Sequence, residues 1–320
     1  MKVAITDYSF ADLQIEESVL LPAGHTIAAW KVKKTAAELP TLVADADAVI
    51  TQFASVNADV IASMQNARVI VRYGIGVDNV DLAAARAKGI PVCNVPDYCI
   101  DEVADHTLAF ILATTRQVVT NSNSLKGGTW ALATSLDQMK ALRDMTVGVV
   151  GFGRIGREVV ARLRAFRCRI LVCDPIAKVS DIEAAGGAAV AWPDLLAQAD
   201  VITLHCPSTA ATRGILNSES LAKTQPGVTI INLARGDLID SAALTAALQS
   251  GHVAAAALDV FSPEPIPAEH PLLGMDNVIV ASHIASTSVP AVKKLRETAA
   301  RLALMALNGQ TLPNVVNNLG

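Results

Sequence analysis

Aromatic side chains are scarce: three Trp, three Tyr and six Phe make up 4% of the 320 residues. The core must then be assembled from Ala, Val, Leu and Ile, which suits helices packed closely on a parallel sheet. Long apolar runs are also missing. The longest, such as Val253 to Leu258, reach six residues, far short of the ~20 that cross a bilayer as a helix. With 52% hydrophobic residues the chain has much to bury, and no membrane is expected as a partner. The five cysteines, at 93, 99, 168, 173 and 206, are odd in number and form no CxxC or zinc spacing. That excludes a disulfide framework or structural metal and leaves them as small buried hydrophobes. Neither sign of charge dominates: 26 basic against 30 acidic residues give −4, with no basic block, so no nucleic acid is expected to bind. The opening MKVAIT reads as a strand rather than a secretion signal, and a cytoplasmic location is expected.

What is there is a long alternation of short β-branched runs with helical stretches. The length is about twice that of a usual domain of ~150 residues, pointing to two domains. In the first hundred residues, 3–6, 26–30, 48–52, 68–74 and 90–95 read as strands. Segments 12–20, 36–44, 58–64 and 82–88 read as helices, the last closed by Gly89. A five-stranded doubly wound sheet results. The stretch 101–119 reads as a helix capped by Asp101 and apolar on nearly every face, hence buried. Residues 121–135, with Gly127 and Gly128, read as loop. A second series places strands at 146–151, 169–173, 200–205, 228–233, 253–260 and 277–282. Helices fit between them: Ile155, Val159, Leu163 and Phe166 make one sheet-facing stripe, and Asp240 or Ser241 starts another helix that ends at Gly251. A last helix spans about 289–307. The fold class is α/β, with two doubly wound parallel-sheet domains.

Gly151-Phe152-Gly153-Arg154-Ile155-Gly156 is a GxGxxG segment. Alone it carries little weight, but here it ends an apolar strand, opens an amphipathic helix, and is followed eighteen residues past Gly156 by Asp174 at the end of the next strand. That is the dinucleotide arrangement. Gly151 allows the tight turn, Gly153 lets pyrophosphate approach the backbone and Gly156 lets helix meet strand, while the helix N-terminus supplies donors. Asp174 accepts ribose hydroxyls and repels a 2′-phosphate, which favours NAD over NADP. Lys178 nearby softens that repulsion.

Three further loops at strand ends carry ionisable residues: Asn232-Leu233-Ala234-Arg235-Gly236, Asp259-Val260-Phe261-Ser262-Pro263-Glu264-Pro265, and Ser282-His283-Ile284-Ala285. Taken singly, Arg235 also reads as a surface cation, Glu264 as a solvated acid and His283 as a strand cap. Together with Arg72-Tyr73-Gly74-Ile75-Gly76-Val77-Asp78-Asn79, and over nearly the whole chain, they resemble the D-isomer-specific 2-hydroxyacid dehydrogenase family. Ser282 departs from it, since many members carry Pro before the catalytic His.

The resemblance implies a Rossmann NAD-binding domain, 98–286, inserted into a flavodoxin-like substrate domain made of 1–97 and 287–320, with the active cleft between them and a homodimeric assembly. It implies NAD as cofactor and a small anionic 2-hydroxy or 2-oxo acid as substrate. It also implies that Asp259 holds the nicotinamide carboxamide, that Pro207 and Thr212 lie along the cofactor with Arg154 and Ile155, and that Ala234 touches it through backbone. The residue types fit the chemistry. His283 suits a proton acceptor, Glu264 paired to it would orient the ring and favour imidazolium, and Arg235 offers a planar fork for a carboxylate. Gly74, Ile75 and Gly76 add backbone donors. Arg72 should reach the substrate from the first domain, favouring a compact anion with a second acidic or polar group.

His205 beside Cys206 is not read as a nucleophilic pair, because neighbours on a strand point to opposite faces and no third orienting group is evident. His25, His106, His252 and His270 lack a partner motif. Tyr73, Tyr98 and Trp130 cannot be assigned to a substrate pocket. The runner-up function is an NAD-sensing binding protein like the C-terminal binding protein corepressors, which Arg72 to Asp78 and Asn94 to Asp97 also resemble. A formate dehydrogenase of similar architecture is disfavoured, since that chemistry removes no hydroxyl proton.

Overall fold

The computed structural model describes residues 1–319, apart from the side chain of Asp137. In chain order the elements are β1 (Lys2–Ile5), α1 (Gln14–Leu20), β2 (Thr26–Ala29), α2 (Pro40–Val43), β3 (Ala48–Thr51), α3 (Ala58–Ser63), β4 (Ile70–Arg72), α4 (Leu82–Ala87) and β5 (Val92–Cys93). They continue with α5 (Ile100–Thr115), α6 (Val118–Lys126), β6 (Thr146–Val150), α7 (Arg154–Leu163), β7 (Arg169–Cys173), α8 (Val179–Ala184), β8 (Ala188–Ala189), α9 (Trp192–Gln198) and β9 (Val201–Leu204). The series closes with α10 (Ser218–Ala222), β10 (Val228–Asn232), α11 (Ser241–Gln249), β11 (Val253–Leu258), β12 (Val278–Val280) and α12 (Val289–Leu307). The chain divides into two compact units, Met1–Tyr98 with Ser288–Gly320, and Cys99–Thr287.

The first unit is a five-stranded parallel sheet in the order β2-β1-β3-β4-β5, the flavodoxin-like winding. Alternate side chains feed two cores, as the period of two along a strand requires. Ala4, Val49, Ile70 and Val92 join Leu42, Val60, Ile61 and Ala85 on one face. Val3, Ile5, Ile50, Val71 and Cys93 join Leu20 of α1 and Leu295, Ala299, Leu302 and Ala303 of α12 on the other. The chain after α12 then covers the sheet edge: Val315 pairs antiparallel with Cys93, and the Val316 N–H donates to Val92 O at 2.8 Å. Asn317 accepts from Val92 N and donates to Ile90 O, satisfying backbone groups an open edge would expose.

The second unit has seven parallel strands ordered β12-β11-β10-β9-β6-β7-β8. Numbered within the unit this is 3-2-1-4-5-6 with one added strand, the dinucleotide winding, whose order reverses between β6 and β9.

The fold class reads as expected, with local corrections. The helix expected from 101 starts at Ile100 and ends at Thr115, and Asp101 lies in its first turn instead of capping it. It is not apolar all round: Asp101 and Asp105 reach Arg162 of α7 at 2.6 and 2.7 Å. Val118 and Val119 belong to a separate helix, α6, which continues through residues 121–126 where loop was expected. Their Thr, Asn and Ser content masks the helix, and Gln117 at φ 52° separates it from α5. Strand β8 escaped sequence reading because it has two residues.

One ion pair in the first unit is nearly withdrawn from water. Arg296 of α12 donates from Nε and Nη2 to Glu16 of α1 at 2.9 and 2.7 Å, and from Nη2 to Asp12 O at 2.7 Å. Glu16 is 0% exposed and Arg296 6%. Breaking such a pair leaves a buried charge, so R296A should destabilise this unit by about 3–5 kcal/mol, whereas E16L/R296M should recover most of the loss. Chemical denaturation of the three proteins checks this; equal stability of R296A and wild type would refute it.

Candidate active site

The dinucleotide loop is built by glycines that have no room for a side chain. Gly151, at φ +97°, follows β6 and runs so close to the next strand end that a Cβ would lie 2.7 Å from His205 C and Cys206 N. A Cβ on Gly156 would overlap the carbonyl oxygen of Gly151, so strand and helix meet directly. Gly153 behaves differently. It sits before the first turn of α7, and a Cβ there would meet nothing within 4 Å. Arg154 and Ile155 open α7 beside it. An exposed glycine at a ten-residue helix N-terminus fits an approaching phosphate.

Asp174, one residue past β7, accepts from Phe152 N at 2.7 Å through Oδ2 and from Ile176 N and Ala177 N at 2.8 Å through Oδ1. Partial burial opposes its ionisation, but the three N–H donors outweigh it and hold its pKa below the usual range. The carboxylate therefore locks the turn as well as presenting charge. Lys178 is the exposed residue preceding α8. Burial brings His205 down to about 4 and raises the Cys206 thiol to about 11, so neither a thiolate nor an imidazolium forms there near neutrality.

Three strand ends of the same sheet carry the ionisable residues Arg235, Asp259 with Glu264, and His283. At the end of β10, Asn232 accepts from Ala234 N at 3.0 Å and donates to Arg235 O at 2.8 Å, shaping the turn that presents Arg235. The Arg235 guanidinium donates to Ala234 O at 2.7 Å. Beyond β11, Asp259 is 1% exposed and accepts from Ile284 N (2.8 Å) and Ala285 N (2.9 Å), while its carbonyl accepts from His283 N at 2.8 Å. These bonds hold His283 at φ +57°, a left-handed conformation costing a non-glycine residue about 1–2 kcal/mol.

His283 Nδ1 lies 2.9 Å from Glu264 Oε2, and the other carboxylate oxygen accepts from Phe261 N at 2.8 Å. An ionised carboxylate can only accept, so Nδ1 carries the hydrogen and Nε2 is the ring atom left for proton exchange. Partial burial pushes Glu264 up, yet the His283 hydrogen bond and charge, the Phe261 N–H and the Arg235 charge together hold its pKa below the ordinary value.

The structure thus brings Glu264, His283 and Asp259 together, with Arg235 near enough to act on Glu264 by charge. Both Asp259 oxygens are engaged by the His283 turn, a positioning role the sequence did not reveal; its buried acid two residues before Phe261 was the available signal. Thr212 Oγ1 donates to Pro207 O at 2.6 Å, closing the loop after β9. A cavity of about 20 Å³ lined by Gly236, Ser241, Phe261 and His270 lies behind the Glu264 loop, room for about one water and not for a substrate. Among the described residues, no group of three or more His, Cys, Asp or Glu could hold a metal ion.

In the first unit, Arg72 ends β4 and is 9% exposed. Its guanidinium occupies the space a Cβ on Gly74 would need, at φ +147°, and its Cζ lies 6.0 Å from the Phe53 ring centre. Asn94 Nδ2 holds the following turn through Ile75 O at 2.7 Å, and Gly76 is half-buried beyond it. Tyr73 is a core residue whose hydroxyl donates to Glu16 at 2.9 Å. Trp130 is 90% exposed.

Sheet order and glycine loop define a dinucleotide-binding α/β protein, with a hydrogen-bonded histidine–carboxylate pair at its strand ends. Residues 108–285 match the D-isomer specific 2-hydroxyacid dehydrogenase, NAD binding domain, family. Similar proteins include the D-3-phosphoglycerate dehydrogenase of Mycobacterium leprae (strain TN), 37% identical over 96% of this chain and 58% of that protein. The glyoxylate reductase of Thermofilum pendens (strain Hrk 5) is 36% identical over 88% of this chain and 84% of that protein. Among solved structures, the D-lactate dehydrogenase of Aquifex aeolicus complexed with NAD and lactic acid matches with a TM-score of 0.85 and 26% identity, covering 97% of this chain and 96% of that one. The chain belongs to the D-isomer specific 2-hydroxyacid dehydrogenase family, and NAD is the cofactor its glycine loop and Asp174 fit. It spans about half to three fifths of the phosphoglycerate dehydrogenases it matches.

Removing the imidazole tests the electrostatics of the pair. In H283A, Glu264 keeps its partial burial but loses its strongest hydrogen bond and its charged partner, so its pKa should rise; the carboxylate would then protonate at a higher pH. Carbon-detected NMR titration of the Glu264 carboxyl checks this, and an unmoved midpoint would contradict the electrostatic role of His283.

Proposed function

We propose that the protein interconverts a small D-2-hydroxy acid and its 2-oxo acid with NAD, and that the His283–Glu264 hydrogen bond is the observation that carries this reading. NAD, which the glycine loop and Asp174 would hold, would supply the hydride acceptor in oxidation and the hydride donor in reduction. His283 Nε2 takes the hydroxyl proton in oxidation and returns it in reduction, while Glu264 fixes the tautomer and stabilises the charge that appears on the ring. Arg235 grips the substrate carboxylate and polarises the carbonyl oxygen, each charge-assisted bond contributing about 1.5–3 kcal/mol.

Gly151, Gly153, Arg154, Ile155, Gly156 and Asp174 hold the adenosine and pyrophosphate side of the cofactor, with Pro207 and Thr212 along it, Ala234 touching it through backbone and Asp259 at the nicotinamide carboxamide. Gly74, Ile75 and Gly76 offer backbone donors to substrate. Arg72 favours a compact anion with a second polar group, since two guanidinium groups would then share one ligand. A corepressor role would not require the orienting carboxylate on His283, which favours catalysis.

The test is a panel of 2-oxo acids, with and without a second acidic group, reduced by NADH and by NADPH. Turnover with NADH should exceed that with NADPH, and H283A should lose about 10²–10⁴ in kcat while NADH binding stays nearly unchanged. No reduction across the panel, or equal turnover in H283A, would sink the assignment.

The five free thiols fit a reducing compartment, and we place the protein in the cytoplasm; no helix among the described residues is long and apolar enough to cross a membrane. We also propose a homodimer. Val118, Leu125, Trp130, Leu132 and Leu136 are all at least 48% exposed within one short stretch of chain, an apolar concentration that a second copy would cover. Sedimentation should report a dimer that W130A/L136A weakens; a wild-type monomer at micromolar concentration would refute it.

A further inference from the structure

The loop after β9 is fastened to the Arg235 turn at two places. Leu216 bridges Ile239 through backbone, its N–H donating to Leu238 O at 3.1 Å and its carbonyl accepting from Asp240 N at 2.8 Å. Nearer the site, Asp237 gathers the 208–214 segment. Its Oδ2 accepts from Ser208 Oγ at 2.6 Å and from Arg213 Nε at 3.1 Å, and its backbone carbonyl accepts from Gly214 N at 2.9 Å. Three bonds from seven consecutive positions, 208–214, thus converge on a single side chain and its own carbonyl.

The place of these contacts gives them meaning. Strand β9 lies between β6, which ends in the glycine loop, and β10, which ends in Arg235. The chain leaving β9 therefore borders the crevice where sheet order reverses and dinucleotides bind. Asp237 sits two residues past Arg235, in the tight turn Gly236–Leu238. That turn is wedged against the next loop: a Cβ on Gly236 would overlap the Phe261 backbone, and the Phe261 N–H is the one that holds Glu264. A continuous line of close contacts runs from the cofactor-side loop through Asp237 and Gly236 to Phe261 and Glu264. The same turn carries Arg235. The Arg213 side chain is 63% exposed, so its ion pair adds little to stability; the contacts bear on geometry more than on folding.

We propose that Asp237 is a positioning residue that couples dinucleotide binding at the 207–214 loop to the placement of Arg235 and Glu264. A bound dinucleotide fixes the loop, the loop fixes the Asp237 turn, and the turn presents the guanidinium and carboxylate in the arrangement a 2-oxo acid needs. Substrate anion then binds more tightly after cofactor than before it, and by linkage the anion tightens the cofactor by the same factor. This rests on the cofactor and substrate roles proposed above.

The test is an equilibrium measurement that needs no turnover. NADH affinity is read from nicotinamide fluorescence, without and with saturating oxamate, an unreactive 2-oxo acid analogue. Wild type should show about a 10-fold or larger tightening by oxamate, and D237A should bring that ratio down to about 3-fold or less while NADH affinity alone stays within about 3-fold of wild type. D237N keeps an acceptor for Ser208 but loses the ion pair, so it should lie between the two. S208A should lower the ratio in wild type and add nothing in D237A, because both remove one linkage. Should D237A fail to fold, S208A and R213A each still break one contact.

A wild-type ratio of one, an unchanged ratio in D237A or in both single-contact variants, or independent effects of S208A and D237A would each overturn the proposal. Failure of wild type to bind NADH would overturn the functional reading together with it. NADH binding with coupling unaltered by these substitutions overturns this inference alone.

Discussion

The buried carboxylate of Asp259 is the interaction on which the site depends. A charge at 1% exposure persists only with partners, and its partners are the N–H groups of Ile284 and Ala285. Those bonds, with the one from His283 N to Asp259 O, hold the next strand end in a turn that His283 would not adopt alone. The left-handed backbone at His283 aims its ring at Glu264, and the Phe261 N–H keeps Glu264 facing back. Asp259 N in turn donates to Asn232 O at 3.0 Å, so the strand end that anchors the histidine turn is registered against the one bearing Arg235. An acid that never meets water thereby fixes the relation among three groups that do.

Much of this was legible in the sequence because it is local or periodic. Alternating β-branched runs set both sheets, and GxGxxG with a strand before it, a helix after it and an acid at the following strand end specified a dinucleotide loop. Arg235, Glu264 and His283 stood out as ionisable residues at strand ends, in family order. What was hidden depends on chain segments far apart. Neither the Asp237 contacts to Ser208 and Arg213 nor the Glu16–Arg296 pair, separated by 280 positions, has a periodic signature. Helix α6 was hidden for a different reason: its Ser and Asn residues favour turns in isolation, and tertiary context overrides them.

Small residues recur where these distant segments meet. Gly151, Gly156 and Gly236 each stand where a methyl group would strike another stretch of backbone, and β11, which ends at the Asp259 anchor, has alanine at four of its six positions. Close backbone approach substitutes for large side chains in a protein with so few aromatics. The same economy makes the site stiff, since backbone packed on backbone has no rotamer to yield.

The first unit is assembled from two segments far apart in sequence, with α12 and the segment at 315–317 completing a sheet begun at residue 2. During synthesis its five strands emerge well before the helix that covers one of their faces. At about 5–20 residues per second the ribosome needs roughly 10–40 s to make the intervening 99–287. The second unit is continuous and can close first. Until α12 emerges, the Val3, Ile5, Ile50 and Val71 face of the first sheet lacks the helix that covers it.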